Sequence, residues 1–239
     1  MPEVYASGRP VPAGNGWKWI VDGWALFTRA PGTWVGIVLL WAVVSLAVGF
    51  VPIVGTLAGP VLGVIFLAGL ALGCRALDEG GELKVEHLFA GFRVRFGTLV
   101  SVGLIYLAAA IVVTLITALL VGFKLYALLS AAPADAAAVM QLLLLSALAV
   151  LIWLALMLPV VMAMWFAPCL VVFQQQGAMQ AIQASFSGCM RNVMPFLVYG
   201  LILLVPAILA TIPFALGWLV LGPLVVTSLY TSYKDIYPS

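Results

Sequence analysis

The chain has 239 residues, 65% of them apolar and only 8% charged, with a formal net charge of +2 and a mean hydropathy of +1.24. Soluble domains carry about 25% charged residues, so a water-facing globule is excluded. Cations this few and scattered also exclude a nucleic-acid footprint, and three cysteines in no metal-like spacing argue against a disulfide framework.

The opening MPEVYASGRPVPAGNG contains no apolar core, so no signal peptide is expected. Then comes a short amphipathic stretch with Trp17, Ile20, Trp24 and Phe27 on one helical face, opposite Lys18 and Asp22. No Asp, Glu, Lys, Arg or His occurs in 30–74, 96–123, 136–190 or 192–233. A charge at the bilayer centre costs roughly 3 kcal/mol, so these are the stretches lipid accepts. A crossing needs about 20 residues. Run 30–74 therefore holds two, turning at VPIVG (51–55). Five of the eight tryptophans lie between Trp17 and Trp41, where an interfacial belt anchors the first helices.

A second amphipathic stretch follows, with Val85, Leu88, Phe89 and Phe92 aligned and Lys84, Glu86 and Arg93 off that face. Run 96–123 gives the third crossing. The apolar stretch 120–139, interrupted by Pro133 and Asp135, implies either longer third and fourth helices or a helix on the outer surface. The fourth crossing covers about 141–172 and ends at QQQ (174–176). A third amphipathic stretch places Met179, Ile182, Phe186 and Cys189 on one face, with Gln176, Gln180, Gln183 and Ser187 off it. Run 192–233 holds the last two crossings, turning at TIPFALG (211–217). Six crossings with three interfacial amphipathic helices make this an all-α polytopic membrane protein in one domain, 1–239.

Six crossings put both termini on the side that collects nine cations, against Lys124 alone on the other. The positive-inside rule then makes both termini cytoplasmic. Each amphipathic stretch ends in a cation: Arg29, Arg93 or Arg95, and Arg191. Each leads into similar sequence (RAPGTWVGI, RVRFGTLVS, RNVMPFLVY), and the second crossing of each pair contains a proline. This is a threefold pattern of helix plus hairpin, about 16–75, 83–175 and 177–236, with an enlarged middle copy.

Gly55, Gly59 and Gly63 recur every fourth residue, a spacing suited to close helix packing. Pro60, Pro159 and Pro223, with Gly59 and Gly222 beside two of them, are candidates for helix breaks lining a midplane cavity. Arg29, Arg93, Arg95 and Arg191 are candidates for a set that holds a lipid or other anion, because guanidinium pairs well with phosphate. Membrane lipids are the expected partner, with a membrane-protein partner or a homo-oligomer left open. Catalysis is not expected. His87 is the lone histidine and reads as structural. Asp78, Glu79, Glu82, Glu86 and His87 match no metal motif, so no metal or cofactor is expected.

At GWKWIVDGWALFTRAPGTWVGI, EHLFAGFRVRFG and SLYTSYKDIY the chain resembles a family of uncharacterised inner-membrane proteins of Gram-negative bacteria. AIQASFSGCMRNVMPFLVYG and YTSYKDIY are more loosely similar to the membrane domain of some glycerophosphodiester phosphodiesterases. The loops are too short to hold such a catalytic domain. The resemblance implies a bacterial inner-membrane protein with no activity to carry over. The expected role is non-enzymatic, lipid-interacting or accessory to envelope components. A small-solute transporter or pore using the prolines is the alternative.

Overall fold

In the computed structural model, residues 8–51, 53–130, 136–212 and 215–238 are described, and no strand occurs among them. The helices are α1 (Asn15–Phe27), α2 (Pro31–Gly49), α3 (Val54–Asp78), α4 (Phe96–Thr117), α5 (Phe123–Ser130), α6 (Ala136–Trp165), α7 (Ala167–Phe173), α8 (Ala178–Arg191), α9 (Val193–Thr211) and α10 (Trp218–Ile236). A 3₁₀ segment, Val85–Phe92, precedes α4, and a π turn, Ala118–Gly122, joins α4 to α5. The chain divides into two compact units, Met1–Leu104 with Met162–Ser239, and Ile105–Val161.

The smaller unit contains most of α4, the π turn, α5 and most of α6. The 120–139 stretch therefore lengthens the third and fourth helices on its described residues; Pro133 and Asp135 lie outside them. Its large apolar side chains face outward, with Leu119 and Phe123 about four-fifths exposed. Such a surface would be untenable in water. Inside this unit the Trp153 indole donates to Thr114 Oγ1 at 3.4 Å.

In the larger unit the sequence punctuates its helices. Pro31 opens α2, where the missing N–H is no loss. Beyond α3, Gly80 takes a left-handed φ of +85°, and the Gly81 N–H closes on the Ala76 carbonyl at 2.8 Å. The amphipathic lead segments then pack in a regular order. α1 lies on α10 and α9, the 3₁₀ segment on α3 and α2, and α8 on α7 and α9. α3 touches both α7 and α10.

Each lead segment meets its neighbour's backbone through a small residue. A Cβ on Gly23 would fall 2.8 Å from the Ser228 nitrogen, five residues beyond Pro223. One on Gly91 would fall 2.1 Å from the Ile65 carbonyl oxygen, five residues beyond Pro60. In α8 the corresponding residue is Ser185, which enters a helical ladder. Phe166 N–H donates to Ser185 Oγ at 2.9 Å, and that hydroxyl donates to the Met162 carbonyl at 2.8 Å. The hydroxyl stands where a direct 166-to-162 helical bond would run, an insertion that breaks helices. The fourth crossing is accordingly not one helix over 141–172 but α6 and α7, parted at Phe166 with Pro168 in the first turn of α7.

Ser185→Ala would strand the buried Phe166 N–H and leave the half-buried Met162 carbonyl only the weaker bond from the Cys189 thiol at 3.4 Å. An unmet buried polar group costs about 1–3 kcal/mol, so thermal unfolding in detergent should show that loss, with Ser185→Thr retaining more stability than Ser185→Ala.

Three further expectations need correction. The second amphipathic stretch is 3₁₀, not α-helical. The faces are also redrawn: Ile20 and Phe27 are buried with Trp19, while Trp17 and Trp24 are about half exposed. In the other two segments Leu88, Ile182 and Cys189 turn inward, and Val85, Phe89, Phe92, Met179 and Phe186 stay out. A row of apolar residues marks an amphipathic segment only when a single side is covered, and here lipid-like surroundings accept the second side too. Lastly, of Gly55, Gly59 and Gly63 only Gly55 makes a close approach, its Cβ position lying 2.6 Å from the Val48 carbonyl oxygen; the other two face open space.

Candidate functional site

Polar chemistry in the larger unit gathers where α3 and α10 end, beside α1 and the end of α7. A cleft of about 380 Å³ is lined by Lys18, Asp22, Arg29, Asp78, Lys234 and Asp235 among others. A second cleft, of about 450 Å³, shares Asp78 and Lys234 and adds Arg75, Glu79 and an aromatic wall of Phe173, Tyr230, Tyr233 and Tyr237. The carboxyl ends of α3, α7 and α10 carry partial negative charge, which favours cations nearby. Arg75 in the last turn of α3 and Lys234 in the last turn of α10 answer that field.

Asp78 accepts from the Tyr230 hydroxyl at 3.2 Å and pairs with Lys234. The Lys234 ammonium lies 5.9 Å from the centroid of Tyr230, and the Arg75 guanidinium 5.2 Å from that of Phe173, both within cation–π range. Asp235 is the best-served acid: Asn15 Nδ2 (2.6 Å), Trp19 Nε1 (2.9 Å) and Arg9 Nη2 (2.9 Å) all donate to it. Burial opposes its ionisation, yet the donors from Trp19, Asn15 and Arg9 prevail and hold the carboxyl below its usual range. The strap before α1 is clamped as well. Arg9 N–H donates to the Ile236 carbonyl, and buried Asn192 accepts from Val11 N–H at 2.8 Å while donating to the Arg9 and Gly188 carbonyls.

The four arginines singled out by the sequence are placed unequally. Arg29 Nη1 donates to the Leu77 carbonyl (2.6 Å) at the end of α3. Arg95 Nη2 donates to the Gln175 and Gln176 carbonyls (3.0 and 3.2 Å) just past α7. Arg191 Nη1 donates to the Gly8 carbonyl (3.2 Å), which adjoins the end of α10. The partners of Arg29, Arg95 and Arg191 are thus main-chain carbonyls in the last turn of α3, just past α7 and in the strap before α1, and of the four only Arg29 lines either cleft. Arg93 is exposed on the 3₁₀ segment. Arg95 and Gln175 both hold left-handed backbone, φ 54° and 58°, a conformation uncommon for residues other than glycine.

The prolines do not break helices. Pro60, Pro159 and Pro223 each lie inside a continuous helix, Gly59 and Gly222 with them. Gly59 and Gly55 line a cavity of about 60 Å³ between α2 and α3, with Trp41, Ser45 and Phe66 around it. His87 is used locally: its Nδ1 accepts from the Lys84 N–H at 2.9 Å. The residues that sequence reasoning passed over are Asp235, Lys234, Asp22 and Lys18. Their signal was an isolated Lys-Asp pair after 42 charge-free positions and a Lys/Asp pair one helical turn apart.

Among the described residues, five helical stretches are long and apolar enough to cross a membrane: Pro31–Gly49, Gly55–Asp78, Phe96–Ser130, Ala136–Phe173 and Val193–Thr211. Over 206 residues the chain is 29% identical to a protein of Burkholderia thailandensis named as a probable inner membrane protein, a match covering 80% of this chain and 73% of that one. The chain is a multi-pass membrane protein. No family model matches it. No solved structure matches it either.

Proposed function

We propose that this is a non-enzymatic protein of the bacterial inner membrane that holds lipid at the bilayer interface and serves as an accessory to envelope components. The observation that carries this reading is the outer face of the lead segments. Each turns one edge onto a neighbouring helix and leaves large apolar side chains out: Trp17, Val21 and Trp24; Val85, Phe89 and Phe92; Met179, Phe186 and Met190. Lys18, Lys84, Arg93 and Arg191 stand on the same segments or at their ends. Apolar rows flanked by cations suit the headgroup boundary.

In this reading α10 is the sixth crossing, shielded by α1, α2 and α3 where its polar second half would otherwise meet lipid. Both termini lie in the cytoplasm, on the cation-rich side. The chain is a threefold repeat, about 16–75, 83–175 and 177–236, and within the larger unit α1 rests on α10, the 3₁₀ segment on α3 and α8 on α7. The matched registers of Gly23 and Gly91 beyond Pro223 and Pro60 support that repeat, as do the bonds of Arg29 to the end of α3 and of Arg95 to the residues just past α7.

Transport through proline-broken helices has less support. Ser101, Thr114, Thr117, Ser146, Thr227 and Ser228 each donate to a carbonyl on their own helix, as membrane hydroxyls commonly do. Nitroxide labels on single cysteines at positions 17, 89 and 186, in vesicles, test the interfacial reading. Depth at the headgroup level supports it; labels in free water or at the bilayer centre refute it. Solute flux through reconstituted liposomes would move the reading to the transporter.

A further inference from the structure

We infer that the cleft between α1 and α10 is a phosphate-binding site centred on Arg29. The inference deepens the lipid reading, on which it rests only for placing this cleft at the headgroup level. Six charged side chains line the cleft, and every acid among them is already engaged. Asp22 pairs with Lys18 at 2.5 Å, Asp78 with Lys234, and Asp235 with Arg9 from outside the cleft wall. Arg29 is the lining cation without a carboxylate partner among the described residues.

Its Nη1 donates one N–H to the Leu77 carbonyl. That bond holds the guanidinium against the end of α3 and leaves most of its five donors for a ligand. Counting Arg9, cations exceed acids around the cleft by one, so a single anionic group completes it. A planar donor fork suits an oxyanion that offers two oxygens, with which it makes two parallel charge-assisted bonds. Lys18 is about two-thirds exposed and lines the same cleft as a second cation, paired with Asp22. Carboxylates would also satisfy the charge, but the negatively charged group abundant at a bilayer surface is phosphate. The phosphate arrives on a lipid headgroup or as a soluble ester, and one experiment distinguishes these.

Full-length protein in neutral detergent would be titrated at fixed ionic strength with dihexanoyl phosphatidylglycerol, inorganic phosphate and dihexanoylglycerol, and Kd read by thermophoresis. The phosphate-bearing probes should bind, and Arg29→Lys, which keeps the charge but loses the fork, should weaken them about tenfold. Lys18→Gln should weaken them several-fold, and Lys124→Gln, in α5 and outside the cleft lining, should leave them unchanged. Binding of the phospholipid alone assigns the headgroup as source; equal binding of inorganic phosphate assigns a soluble anion. The inference fails if dihexanoylglycerol binds as well as the phospholipid, if no probe binds, or if both Arg29→Lys and Lys18→Gln bind like the wild type. Unliganded melting of each variant checks folding. The depth labels at 17, 89 and 186 do not involve this cleft, so either reading can fail alone.

Discussion

Gly91→Ala should destabilise the protein by about 1–3 kcal/mol, the range for forcing atoms into a filled core, and should lower its melting temperature in detergent. The added methyl would fall 2.1 Å from the Ile65 carbonyl oxygen and 3.0 Å from the Ile65 carbonyl carbon. Neither atom can swing aside, because Ile65 is in the middle of α3. Reciprocally, a Cβ on Gly69 of α3 would fall 2.3 Å from the His87 carbonyl oxygen, so the two elements interlock at two points. Gly23→Ala should behave alike, against the Ser228 backbone. Gly63→Ala is the control. Nothing lies within 4 Å of its Cβ position, and alanine is favoured over glycine in a helix by up to about 1 kcal/mol. Equal melting temperatures for Gly91→Ala and Gly63→Ala would refute the close packing of the 3₁₀ segment on α3.

Asp235→Ala should cost roughly 2–3 kcal/mol, because hydrogen bonds to a charged group contribute more than neutral ones and three donors converge on this carboxylate. The effect depends on pH in a definite direction. Asp235 is held below the usual carboxylate range, so its contribution is complete above the unfolded value of about 4. It is lost as pH falls through the lower folded value. Wild-type stability should therefore be flat near neutrality on this account and decline below about pH 4, while Asp235→Ala lacks that part of the decline. Melting curves of both proteins from pH 3 to 8 would check it. Parallel curves would mean that Asp235 does not anchor the strap.

The helical, membrane-spanning character of the chain was legible because solvation acts on whole segments. A charge-free run such as 30–74 declares its medium whatever it packs against. A turn was legible where proline and glycine interrupt an apolar run, as at 51–55, between the end of α2 at Gly49 and the start of α3 at Val54. Contacts between distant segments were not. The hydroxyl of Ser185 reads as one polar residue on an amphipathic face, and nothing local says that it replaces a bond between Phe166 and Met162. The glycine pattern misled for a related reason. Gly55, Gly59 and Gly63 are evenly spaced, but a small residue permits close approach without requiring it, and the neighbour arrives at Gly69 and Gly73 instead. The arginines stand out in the sequence, whereas the partners of Arg29, Arg95 and Arg191, main-chain carbonyls, carry no side-chain signature at all. Asp235 escaped notice because its three donors come from the opposite end of the chain.

That last separation bears on how the molecule is made. α1 leaves the ribosome long before α10, yet α10 covers Gly23 and part of Trp19, and Asn15 reaches its acid across 220 positions of sequence. Until then α1 waits without that mate, and the seam shuts only when α10 has been delivered. Premature termination upstream of α10 leaves that side of α1 uncovered, so an incomplete product exposes a seam that the longer chain hides.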